Sequence, residues 1–140
     1  MGKTFADLEL PVDKPGRMTI LDPATGISLK RADGSEAYLD LFSQDSPAGV
    51  AYSRDLRKRA LKRNGRKLTT EEIEAELIEQ TVALCAGWSL ATRDGRDLDV
   101  PFTKDVAREF FENPALAWVR RQADTFTSEI ANFVPASSAS

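Results

Sequence analysis

The sequence predicts an α+β fold, mainly α, with a small N-terminal β meander followed by about four helices. Three observations carry the prediction. Turn chemistry at Asp22-Pro23-Ala24-Thr25-Gly26 and at Asp33-Gly34 cuts residues 17–42 into short apolar stretches. After Ser46 the chain carries capped helical starts instead of turns. From Leu116 to Phe133 the apolar residues recur at helical spacing.

Residues 1–16 come first and are broken by Pro11, Pro15 and Gly16, so they read as an extended arm. Phe5, Leu8 and Leu10 are expected to rest on something apolar, either on the arm's own domain or on a neighbouring subunit. In the meander, 18–21 and 27–30 are the first strand and its return. Proline fixes φ in the turn between them, and glycine supplies a positive φ. Asp33-Gly34 is a hairpin signal, and 36–42 is the next strand, with Ala37, Leu39 and Leu41 on one face and Tyr38, Asp40 and Phe42 on the other. Strands are expected nowhere else. A meander of this size is marginal alone and needs a helix or a partner over it.

The helical part spans 46–133. Ser46 with Pro47 is an N-cap and first-position proline, and Asn64-Gly65 ends that helix near Arg63. Its apolar stripe is narrow (Tyr52, Leu56, Ala60), so it buries little. Thr69 and Glu72 form a capping box for a second helix, with Leu68 and Ile73 as a hydrophobic staple. Ile73, Leu77, Leu84 and Trp88 share a face of that helix, and Gly87 marks its end. Cys85 on that face reads as a small core residue. Residues 91–101 are a loop or small hairpin at Asp94-Gly95, and the order of Asp94, Asp97 and Asp99 does not fit a calcium loop. Thr103 caps a short helix, Lys104 to about Glu112, and Asn113-Pro114 stops it and starts the last one, which runs to about Asn132. The seam of this last helix is Leu116, Val119, Ala123, Phe126, Ile130 and Phe133. Trp118 falls off the seam, either under a neighbouring helix or as an exposed anchor. Residues 134–140 read as a disordered tail, which leaves 17–133 as a single domain.

Composition narrows the chemistry. There is no histidine, which removes the usual general base and the commonest metal ligand. One cysteine allows neither an intrachain disulfide nor a multi-cysteine metal site. No glycine-rich phosphate loop, dinucleotide fingerprint or GxSxG is present. Carboxylate-only and lysine chemistry survive this filter, and the first would need two acids converging in a cleft; the expectation is a non-enzymatic protein without cofactor or metal. No stretch is long and apolar enough to span a membrane, no secretory signal is present, and the default compartment is cytoplasmic.

Charge is uneven. Net charge is −3, yet Arg54 to Lys67 carries eight basic residues and one acidic, +7 in all, leaving −10 elsewhere. Arg57, Arg59, Lys62 and Arg63 make the candidate partner-charge patch, for self-association or an anionic partner. A solvated, ion-paired helix face is the other reading. The glutamates of the second helix could receive this basic helix, from the same subunit or another. Aromatic residues are not interleaved with the basic run, so nucleic acid is a secondary possibility, as a small regulator using 54–67.

Three segments together resemble the tail assembly chaperones of long-tailed, siphophage-type bacteriophages and related prophage particles. They are RMTILDPATG (17–26); AGWSL (86–90) with a DG turn and VPFT (100–103); and ENPALAWVRRQADTF (112–126), ending in ANF (131–133). The resemblance implies an assembly factor that binds and solubilises the tape measure protein and promotes tail tube assembly. Tape measure and tail tube proteins are the implied partners, with homo-oligomerisation possible. The implied location is the cytoplasm of the bacterial host, with the chaperone absent from the finished particle. Such families also often make a longer frameshifted product. A groove for the client's helices is expected in the C-terminal half, at Trp88, Phe102, Phe110 and Trp118.

Overall fold

A computed structural model of the protein describes residues 5–134. The first four residues of the expected arm and, beyond Val134, the expected disordered tail lie outside the described residues. The fold is α+β, 45% helix and 16% strand.

Strands β1 (Gly16–Thr19) and β2 (Tyr38–Leu41) pair antiparallel, with Met18 opposite Leu39. Between them the chain turns twice, through Gly26 at φ 72° and Gly34 at φ 88°. The expected middle strand is reduced to isolated bridges, Leu21 to Ser28 and Lys30 to Glu36. Helix α1 (Pro47–Arg63) follows, with the Ser46 hydroxyl accepting from the Gly49 N–H and Asn64 closing the helix in the left-handed region. Helix α2 (Thr70–Leu84) opens with the predicted capping box.

At Cys85 the structure departs from the sequence reading. Helix α2 passes directly into strand β3 (Cys85–Ala91), which pairs with β2 and then with β4 (Asp97–Leu98) to complete a four-stranded antiparallel sheet ordered β1-β2-β3-β4. Strands are therefore not confined to 17–42, and 46–133 is not wholly helical. The cause of the misreading is a bulge. Leu39 pairs with Trp88 and Leu41 with Cys85, so β3 spends one extra residue there. That residue puts Cys85 and Trp88, three apart, on the core face of a strand, the same spacing that two residues on one helix face would show. The helix stops without a glycine or proline because Lys104 holds its end. The Lys104 ammonium donates to the carbonyls of Val82 at 2.8 Å, Ala83 at 3.2 Å and Cys85 at 2.7 Å.

Helix α3 (Lys104–Glu112) is capped by Thr103, as predicted. The expected single last helix is broken into a 3-10 turn at Pro114–Leu116, helix α4 (Ala117–Ser128) and a 3-10 turn at Ile130–Asn132. Its seam holds at Val119, Ala123 and Phe133, but Ile130 lies beyond the α-helix and is exposed.

The core lies where α2, α3 and α4 pack against the inner face of the sheet. Ala37, Leu39, Leu41, Cys85 and Ala107 have no exposed surface. Burial pushes the Cys85 thiol up to about 11, which suits a core residue. Ile73 and Leu77 were expected on a buried face of α2 but are exposed, because only the C-terminal part of that helix reaches the core.

Candidate functional site

Three aromatic residues of the C-terminal half gather at the end of the sheet where β3 and β4 meet α3. Strand β3 delivers Trp88, the segment after β4 delivers Phe102, and α3 delivers Phe110. The Trp88 ring stands edge-on to Phe102 with centroids 5.1 Å apart, and lies tilted on Phe110 at 5.4 Å. Phe110 continues edge-on to buried Phe111 at 5.1 Å. The polar end of Trp88 is satisfied, since its indole N–H donates to the Val100 carbonyl at 2.7 Å and so pins the loop between β4 and α3. All three rings are half-buried, so the cluster is rooted in the core and open on one side.

Trp118 lies in the first turn of α4 and has no ring contact with Trp88, Phe102 or Phe110 among the described residues. Phe110 and Trp118 both line a cavity of about 430 Å³, with Ile20, Leu29, Leu98 and Leu116. Trp118 is half-buried, packed against the core and lining the cavity. Trp88 and Phe102 are not on that wall. Trp88 instead borders a neighbouring cleft of about 470 Å³ with Tyr38, Val100 and Leu98. Leu98 is common to both hollows and is 40% exposed. Sequence reasoning missed Leu98, Leu29 and Leu116; the signal was Leu98 standing between Asp97 and Asp99, an apolar side chain on a strand too short to need it.

The three aspartates near β4 have arginine partners. Arg31 holds Asp99 at 2.6 Å and Asp97 at 3.4 Å, and Arg96 holds Asp94 at 3.1 Å. Asp22, across the hairpin, is held by Arg93 at 3.1 Å, and its carboxyl lies below the usual range because of that pair. Thr127 and Arg120 are buried in α4, and Arg120 reaches Asp124 at 3.3 Å. Burial lifts the Asp124 carboxyl above its usual range, against the pull of Arg120.

The basic patch is divided. Arg59, Lys62 and Arg63 border a shallow cleft between α1 and α2, together with Arg66, Glu72 and Glu76. Arg63 pairs with Glu76 at 3.5 Å and Arg66 with Glu72 at 3.0 Å, so the basic helix meets the acidic helix of its own chain. Arg59 lies 5.8 Å from the centre of the Tyr52 ring. Arg57 lies outside that cleft and is exposed. Arg66 and the Thr69 backbone N–H hold the Glu72 carboxyl down at about 2.

No family model, curated protein or solved structure matches this chain. No helix among the described residues is long and apolar enough to cross a membrane.

Proposed function

We propose that this protein is a non-enzymatic tail assembly chaperone that binds and solubilises a tape measure protein and promotes tail tube assembly around it. The observation that carries the reading is the apolar cavity beside the aromatic cluster. Its wall is mainly apolar (Phe110, Trp118, Leu98 and Leu116), with Thr92 and Arg93 also lining it, and it suits apolar side chains projecting from a helix. At about 430 Å³ it falls in the range of specific binding pockets but cannot enclose a helix, so a client would seat one or two anchor side chains there and remain releasable. That fits a client held until the tube encloses it. The sequence resemblance supplies the identity of the client. The protein would act in the host cytoplasm and leave before the particle is complete.

The nucleic-acid reading is less well supported. Arg63 and Arg66 are already engaged by Glu76 and Glu72, which lowers the charge available to phosphates.

The test is co-production with helical fragments of a tape measure protein. Wild-type protein should keep a fragment soluble and co-purify with it. Leu98→Glu places a charge at the mouth of the cavity, at an exposed position, and should abolish co-purification with the thermal midpoint unchanged. A Leu98→Glu protein that still holds the fragment contradicts the assignment of the site. Trp118→Ala reports on both fold and site, because Trp118 also packs on the core.

A further inference from the structure

Phe5, Leu8 and Leu10 of the arm were expected to rest on an apolar surface, and they stand exposed. Phe5, Leu8 and Leu10 are 66%, 81% and 51% exposed. Within it Leu8, Leu10 and half-buried Val12 alternate with Asp7, Glu9 and Asp13 around Pro11, the period-two pattern of a strand with one buried face. In the single chain residues 6–8 form a turn in which the Leu8 N–H donates to the Phe5 carbonyl at 2.9 Å, and this turn would open on pairing. A proline is tolerated in such a strand at a sheet edge.

The body has a matching vacancy. Strand β1 is an edge strand, paired with β2 on one side and, among the described residues, with no strand on the other. Helix α4 runs beside this edge and leaves a groove of about 570 Å³ lined by Met18, Leu21, Phe126 and Thr125. Leu21 is 42% exposed there. Gln122 closes one end of the edge, accepting from the Leu21 N–H at 3.0 Å and donating to the Leu21 carbonyl at 2.8 Å. Charge does not decide the fit: Arg121 and Glu129 both line the groove, and Arg17 on β1 is already paired with Asp40 at 3.0 Å and stacked over the Tyr38 ring.

We propose that residues 7–13 of one copy lie along β1 in the groove of a second copy, and that the exchange is reciprocal. A two-fold pair of this kind uses the same arm and the same groove on both subunits. The arm's own groove is a poor destination. To reach it the chain would have to reverse within Asp13–Gly16. Tight reversals between strands call for residues at positive φ, and none of these four has one. Pro15 fixes φ, and Gly16 is already wedged against the C-terminal segment, where a Cβ would lie 2.9 Å from the Asn132 carbonyl oxygen.

The test is sedimentation of the full chain over a range of concentrations, with three variants. Wild type should form a dimer. Leu8→Glu with Leu10→Glu removes the arm's apolar face, and Leu21→Glu charges the groove at an exposed position. Each should raise the dimer dissociation constant by about 30-fold or more, as loss of an anchor contact does. Mixed in equal amounts, the arm variant and the groove variant should dimerise again, since one arm and one groove remain intact between them. In the third variant, Leu10→Cys with Thr125→Cys, oxidation should give a covalent dimer; Cys85 is buried and does not compete. A monomeric wild type, a dimer indifferent to the first two variants, a mixture that does not recover, or a disulfide closed within one chain would each overturn the proposal.

Discussion

The sheet with α3 and α4 and the hairpin of α1 and α2 are built on opposite principles. In the body, Leu39 and Leu41 of β2 are fully buried, facing Val119, Ala123 and Phe111 in one core. Helix α1, nearly twice as long as α3, buries only Gly49 and Tyr52. What fastens it is polar: the Tyr52 hydroxyl donates to the Glu76 carbonyl at 2.5 Å, Arg63 reaches Glu76, and Arg66 just past the helix reaches Glu72. Apolar burial contributes far more than exposed ion pairs, so the body carries the stability and the hairpin belongs to the part that opens first. Helix α2 crosses between the two, exposed at Ile73 and Leu77 and buried from Thr81 onward.

The largest effect should come from the body. Leu41→Ala leaves a cavity in the core and should cost about 2–5 kcal/mol, lowering the thermal midpoint by roughly 10 °C. Next is the junction. Lys104→Met removes the donors that end α2, and at about 1.5–3 kcal/mol for a charged hydrogen-bonding group it should destabilise the α2-to-β3 passage. Denaturation with guanidinium separates the two by their midpoints. A Lys104→Met protein as stable as wild type would mean that α2 stops for another reason.

The hairpin should respond to pH before it responds to charge deletion. The Glu72 carboxyl sits at about 2 in the fold against 4.5 in the free side chain. A lowered acid pKa gives a contribution that is complete above pH 4.5 and lost as pH falls towards 2. Glu72→Gln should lower stability above pH 4.5, where the wild-type contribution is complete, and converge with wild type near pH 2, so that its acid limb is flatter. The smallest effect is expected from replacing Arg57, Arg59, Lys62 and Arg63 together by glutamine. Arg57, Arg59 and Lys62 are exposed and Arg63 loses one half-buried pair with Glu76, so the midpoint should move little. A large loss would contradict the division between body and hairpin.

The elements opened by side-chain caps were legible in the sequence. Ser46, Thr69 and Thr103 each accept from the backbone N–H three residues on, a local interaction that needs nothing from the rest of the chain. The alternation Ala37, Leu39, Leu41 was equally local and gave the buried face of β2. Strand β3 was not legible, because its bulge reproduces helical spacing and because the group that ends α2 is Lys104, twenty residues on from Leu84. The same limit applies to the site. Aromatic composition pointed to Trp88, Phe102, Phe110 and Trp118, but Trp88 sits on a strand and not on a helix. Only the packing of β4 against the helices shows Leu98 between the two hollows.

Hydrogen exchange of the protein alone and with a bound tape-measure fragment tests the central claim most directly, because it reports body and hairpin in one experiment. A client seated in the cavity should slow exchange in residues 88–118, at β3, β4, α3 and the start of α4, and leave 47–72 exchanging as before. Protection confined to 47–72, with the aromatic cluster unchanged, would contradict the account and move the client onto the basic helix.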